Sequence, residues 1–193
     1  MRNLNLILVL ALSLVPFATV QAAPADLPET GQTTCTNATG AVIACAGTGQ
    51  DGELRAGVAW PNPRFVVGTG ATADCVTDNL TGLMWMREPN LTFAVTTWVG
   101  ALTNANDTVL CGFNDWRLPN INELESLVNS ESANTTIFLN TQGFIGVQVG
   151  YYWSSSSLAA SAGSAWTVYM GDGSATPDVK SRSYYVWPVR AGR

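Results

Sequence analysis

The sequence predicts an α+β fold with short antiparallel strands, one clear helix and long loops. Three observations lead there. Only 12% of the residues are charged, and Ser, Thr, Asn and Gly carry the polarity, a balance that favours strands and structured loops over helices. One segment, Asn120 to Asn129, holds a complete set of helix signals. The last third alternates aromatic or apolar with polar residues between turn-forming Gly and Asp.

The helix signals are specific. Asn120 can cap the first turn, and Glu123 stands three residues later, as a capping box requires. Ile121, Leu124, Leu127 and Val128 form one apolar stripe. Glu123 and Glu125 face the positive end of the helix dipole, so this carboxylate pair has a structural explanation. Phe65-Val66-Val67 reads as the first strand of a compact unit. Leu83-Met84-Trp85-Met86, after a Thr81-Gly82 turn, reads as a buried strand. Thr97 to Asn104 reads as a short helix, with Trp98, Ala101 and Leu102 on one side. Ser130 to Gly150 reads as a long loop. Ala165 to Met170 reads as a strand with Trp166, Val168 and Met170 on one face, followed by a Gly171-Asp172-Gly173 turn. Tyr184 to Val189 reads as a second strand, with Pro188 at an edge or last rung.

The start of the chain is a targeting segment. Arg2 precedes an apolar run from Leu6 to Phe17, shorter than the roughly 20 residues a membrane-spanning helix needs. Val20-Gln21-Ala22 fits a secretory cleavage site. Residues 1–22 are therefore expected as a signal peptide, 23–63 as an extended leader with a disulfide-closed hairpin, and 64–193 as the main domain. Cleavage would leave 171 of the 193 residues, with 8 basic and 14 acidic side chains and a formal charge of −6. No later stretch is long and apolar enough to span a membrane. The expected location is the periplasm or the cell surface. No basic run exists, which argues against nucleic acid and against strongly sulfated polysaccharide.

Cys35, Cys45, Cys75 and Cys111 lie in the exported part, and an even count reads as two disulfides. Of three pairings, Cys35–Cys45 and Cys75–Cys111 are favoured: the first closes a local loop, and the second ties a strand to a helix-bearing region. There is no His and no C-x-x-C pair, so zinc spacing and the usual catalytic triads are missing. No cofactor is expected. Calcium is the one ion considered, at Asp172 and Asp178 in a polar Gly/Ser/Thr stretch, with turn formation as the simpler role. Tyr151, Tyr152 and Trp153 border the long loop and are candidates to stack on a sugar or peptide, with core packing as the alternative. Asp115, Trp116 and Arg117, just before the helix cap, are read as an ion-pair and hydrogen-bond hub locking a loop to the sheet. Ligand contact is the other reading.

Several blocks resemble the Lcl C-terminal domain family. They are Cys75-Val76-Thr77-Asp78-Asn79-Leu80-Thr81-Gly82-Leu83-Met84-Trp85 and Cys111-Gly112-Phe113-Asn114-Asp115-Trp116-Arg117-Leu118-Pro119-Asn120. Tyr152-Trp153-Ser154-Ser155-Ser156, Ala165-Trp166 and Tyr185-Val186-Trp187-Pro188-Val189-Arg190 follow in order. The resemblance covers roughly 64–192. It implies a C-type-lectin-like fold akin to that of formylglycine-generating enzymes, and a Cys75–Cys111 bridge flanking the first helix. It also implies a bacterial, adhesion-type role. The chain lacks the collagen repeats and basic surface of the adhesin that names the family, so glycosaminoglycan binding is not carried over. No Cys follows Cys111, so the reactive cysteine pair of the enzyme relatives is not carried over either. The expectation is a non-catalytic module that binds an unknown glycan or protein through the region after the helix. A structural or assembly component of the cell envelope is the second reading, and a formylglycine-generating-type enzyme the third.

Overall fold

The computed structural model describes residues 27–89 and 94–192. The expected signal peptide, its cleavage point and residues 23–26 lie outside the described residues. The architecture is α+β, with three small antiparallel sheets and short helices. Strands β1 (Cys35–Thr36) and β2 (Val42–Ile43) form a hairpin. A one-turn helix α1 (Asp51–Leu54) follows. Strands β3 (Phe65–Val67), β4 (Cys75–Asp78) and β5 (Leu83–Met86) run antiparallel. Helices α2 (Trp98–Asn106), α3 (Ile121–Glu125) and α4 (Thr135–Thr141) come next. Strands β6 (Tyr151–Leu158), β7 (Ser161–Tyr169) and β8 (Ser174–Val179) form a meander. Finally β9 (Val189–Ala191) returns to pair with β5, giving a four-stranded sheet of order β3-β4-β5-β9.

The register explains the main core. Val76 pairs with Trp85, and Trp85 with Val189, so three fully buried side chains line up across the sheet. Trp187 packs edge-on against Trp85 at 5.7 Å and Phe144 at 5.2 Å, and its indole N–H donates to the Met86 carbonyl at 2.8 Å. Truncating either buried Trp would cost about 3–5 kcal/mol. Leu124, Leu127 and Leu139 close this core from the helical side. A second core holds Ala101 and Ala105, one turn apart on α2, against Leu118, Trp153, Ala165 and Val186. Small residues on this face let the helix approach the sheet closely.

Local chemistry sets the helix starts. Asn120 Oδ1 accepts from Glu123 N at 2.9 Å while Asn120 N donates to Glu123 Oε2 at 2.8 Å, forming the expected capping box. The helix itself ends at Glu125, sooner than the apolar stripe suggests, and Ser126 and Leu127 continue as a turn. The Thr97 side chain caps α2.

Two expectations are corrected. Helix α4 forms inside the span 130–150 read as a loop. Thr135 and Thr136 have poor helix propensity, but their backbone N–H groups donate to the Gly171 and Met170 carbonyls, and Leu139 is fully buried. The expected strand Tyr184–Val189 splits. Tyr184 and Tyr185 make isolated bridges to Thr96 and Tyr152, and the strand proper begins at Val189, after Pro188.

Both favoured disulfides are present. Cys35–Cys45 staples the hairpin and Cys75–Cys111 ties β4 to the loop after α2, with Cα separations of 5.2 and 6.5 Å. The leader is clasped to the rest of the chain. Glu131 Oε2 accepts from the backbone N–H groups of Thr33 and Thr34, and Ser130 N donates to the Thr30 carbonyl. Gly31, at φ +85°, leaves no room for a Cβ, which would fall 2.5 Å from Asn129 and 2.8 Å from Trp60. At the leader's end, Arg64 enters the interior. It makes a bidentate pair with Asp78 at 3.0 and 3.1 Å, donates to the Ser126 carbonyl, and stacks on Trp60 and Phe65.

Candidate functional site

One face of the β6-β7-β8 sheet is covered at one end and open at the other. Near Ala165 and Trp153, helix α2 covers it: the Trp98 indole N–H donates to the Ser154 carbonyl at 2.8 Å. At the open end Tyr151 lies opposite Tyr169 across the β6–β7 pair. Their ring centroids are 4.9 Å apart, and Tyr184 joins them at 5.1 Å from Tyr151. Tyr151 is 37% exposed, while Tyr169 and Tyr184 are half-buried. The Tyr184 hydroxyl donates to Asp178 Oδ2, and Arg182 pairs with the same oxygen at 3.3 Å. A row of three tyrosine rings thus ends in a carboxylate, a guanidinium and the exposed Thr176 next to them on β8.

Electrostatics around this face follow from those contacts. The Tyr184 phenol is pushed up to about 12 by burial and by its hydrogen bond to Asp178. The Asp178 carboxyl is held low by the Tyr184 hydroxyl. Tyr184 therefore stays neutral and Asp178 charged across the physiological range.

The sequence-selected residues separate into different roles. Of the three ring candidates, only Tyr151 reaches the surface. Tyr152 and Trp153 are fully buried, Tyr152 against Trp187 and Trp153 with its indole N–H on the Thr96 carbonyl. Asp178 is held by Tyr184 and Arg182. Asp172 accepts from Ser174 N at 2.9 Å, the ordinary geometry of a turn. Among the described residues no group of three or more His, Cys, Asp or Glu side chains is placed to hold a metal ion.

Asp115, Trp116 and Arg117 each bond to a different partner, near or far along the chain. Asp115 pairs with Arg190, at 2.6 and 3.1 Å, and Arg190 stacks on Phe113. Arg117 pairs with Glu123, at 2.6 and 2.7 Å, while its backbone bridges Val189. Trp116 is buried, with its indole N–H on the Leu110 carbonyl. These contacts tie the loop to β9. Burial pushes the Glu123 carboxyl up, but the Arg117 guanidinium and the Asn120 N–H outweigh it and hold it below its ordinary value.

Each of the seven described cationic side chains is engaged within the chain. Arg55, Arg64, Arg117, Arg182 and Arg190 sit in ion pairs. Arg87 donates to the Gly143 and Ala73 carbonyls. Lys180 donates to Ser157 and Ala162 and rests on the Trp98 ring.

Residues 74–190 match the family described as the Lcl C-terminal domain. The chain belongs to that family. Both cysteines of the Cys75–Cys111 bridge, the Asp115–Arg190 pair and the tyrosine face fall within the Lcl C-terminal domain match. The Arg64 latch and β3 precede it. The chain has no match among curated proteins.

Sequence reasoning reached Tyr151 and Asp178 but missed Tyr169, Tyr184 and Arg182. Pairing Tyr151 with Tyr169 requires the hairpin register, and two register shifts in β6 hide it. Tyr184 arrives from beyond β8, through a bridge to Thr96 that no local pattern encodes. A hollow of about 390 Å³ lies between the leader and α3, lined by Leu27, Pro28, Trp60, Asn122 and Glu125. It contains none of the ligand or metal candidates named from the sequence.

Proposed function

We propose that this chain is an exported, non-catalytic ligand-binding module of adhesion type, with a lectin-like fold, acting in the bacterial periplasm or at the cell surface. The observation that carries the reading is the open tyrosine row of Tyr151, Tyr169 and Tyr184, rimmed by Asp178, Arg182 and Thr176. Exposed aromatic faces with a few polar groups at the rim are how proteins hold ligands without chemistry. Supporting it, all four cysteines are bridged, so no thiol is free for formylglycine-type chemistry. The chain has no His to act as a base at neutral pH. Two disulfides fit an oxidising compartment, and no helix among the described residues is long and apolar enough to cross a membrane.

The test is to probe the mature chain and its Tyr151→Ala/Tyr169→Ala variant against glycan and peptide arrays. Binding that depends on both rings is the expected result. Absence of binding on both arrays, with a measurable turnover of any substrate, would overturn the proposal.

A further inference from the structure

The hollow between the leader and α3 stands apart from the tyrosine row and does not depend on it. We propose that it binds a basic peptide segment of a protein partner, with a Lys or Arg head group on Glu125, the alkyl stem against Leu27, Pro28 and Val128, and the peptide backbone on the side-chain amide of Asn122.

Shape is the first observation. The hollow of about 390 Å³ continues into a second of about 350 Å³, and Leu27, Pro28, Asn122 and Ser126 line both. Thr81 and Leu83 belong to the second alone. Each is as large as an ordinary ligand site. Together they make a channel along α3, which suits a chain better than a compact molecule. Its walls are held in place. The Ser130 N–H donates to the Thr30 carbonyl, the Trp60 indole N–H donates to the Glu29 carbonyl, and Arg64 holds the Ser126 carbonyl at the end of α3.

The second observation is what α3 presents. The Asn120–Glu123 capping box and the buried Leu124 fix the rotation of the helix. Asn122 and Glu125, three residues apart, then share an exposed face. Neither side chain has a hydrogen bond or ion pair with another described residue. An amide offers an acceptor beside two donors, the complement of a peptide group, whereas a carboxylate offers acceptors alone.

Charge is the third. Every described cation is already engaged within the chain, so Glu125 has no internal counter-ion. On the leader side Glu29 adds a second carboxylate, paired with Arg55. An anionic ligand would meet Arg55 and Arg64 already held by Glu29 and Asp78. Leu27 is 69% exposed and Val128 half-buried. They leave apolar surface for the methylene stem of a long cationic side chain.

The experiment selects a displayed library of short random peptides against the mature chain, then titrates the recovered peptides by calorimetry at about 50 and 500 mM salt. Expected are sequences with Lys or Arg beside apolar residues, whose affinity falls at least about twofold at the higher salt. Glu125→Gln should weaken binding at least about tenfold, and Asn122→Ala at least about threefold, with urea midpoints unchanged because both side chains are exposed. Asp107→Asn removes the same charge from an exposed carboxylate outside the hollow, and should leave affinity within about twofold. Recovery of no peptide, or of acidic or uncharged ones, overturns the inference. So does binding that survives Glu125→Gln or that falls equally in Asp107→Asn. Free spermidine binding as tightly as the peptides overturns the protein partner while leaving Glu125 as a cation site.

Discussion

Arg64→Ala tests the energetics of the latch between leader and domain. The guanidinium is 3% exposed and its Asp78 partner is fully buried. Removing Arg64 leaves the Asp78 carboxylate inside with the Leu80 N–H and the Thr81 hydroxyl as its remaining donors. Stranding one member of a buried pair costs about 3–5 kcal/mol, and the lost stacking on Trp60 and Phe65 adds to it. For a chain of this size that is a fall in Tm of about 6–20 °C. Urea unfolding followed by near- and far-ultraviolet circular dichroism measures it, with an unchanged m-value showing that the unfolded state is not altered. Arg55→Ala is the comparison. Arg55 is 54% exposed in its pair with Glu29, and its loss should cost under about 1 kcal/mol. Adding Asp78→Asn to Arg64→Ala should recover part of the stability by removing the stranded charge. A loss below about 1 kcal/mol for Arg64→Ala would refute the reasoning, since the pair would then behave as if solvated.

Two further outcomes follow from the crosslinks and carboxylates. Replacing Cys75 and Cys111 by Ser, which opens a 36-residue span, should cost about 3.8 kcal/mol, against about 2.7 kcal/mol at most for the 10-residue Cys35–Cys45 span; urea unfolding measures both. The Glu131 carboxyl is held low by the Thr33 and Thr34 N–H groups and that of Asp115 by Arg190. Their contributions should be fully present above the ordinary carboxylate range of about 4 and lost as pH falls through the lower folded values, so thermal unfolding should move down between pH 5 and pH 2. Tyr184 has the opposite sense: its contribution holds below about pH 10 and is lost as pH rises through about 12. Phenolate absorbance should show one tyrosine of the wild type titrating late, and an earlier titration of that ring in Asp178→Asn that keeps the part of the shift due to burial.

The parts legible in the sequence are those set by neighbours along the chain. The Asn120–Glu123 capping box needs a separation of three residues, and the strand Leu83–Met86 needs only its own apolar run and a turn. The disulfides were favoured from local context. What could not be read depends on distant partners. Helix α4 owes its place to Met170 and Gly171, more than 30 residues away, against the propensity of its own Thr residues. Strand β8, SATPDV, alternates polar and apolar residues, but its apolar positions are a small Ala175, a Pro177 and an exposed Val179, a weak strand signal that only pairing with β7 resolves. Asp115 and Arg190 are 75 residues apart. The candidate site divides the same way. Tyr151, Tyr152 and Trp153 are equivalent in composition, and only the cover laid over β6 makes one a surface ring and two core rings.

The strand order β3-β4-β5-β9 has a consequence for how the chain is made. A ribosome delivers the N-terminal end first, so β3, β4 and β5 exist for more than a hundred residues of synthesis before β9 follows. Throughout that interval Trp85 lacks both its Val189 neighbour and the Trp187 ring. The edge of β5 is then unpaired and open to association with other chains.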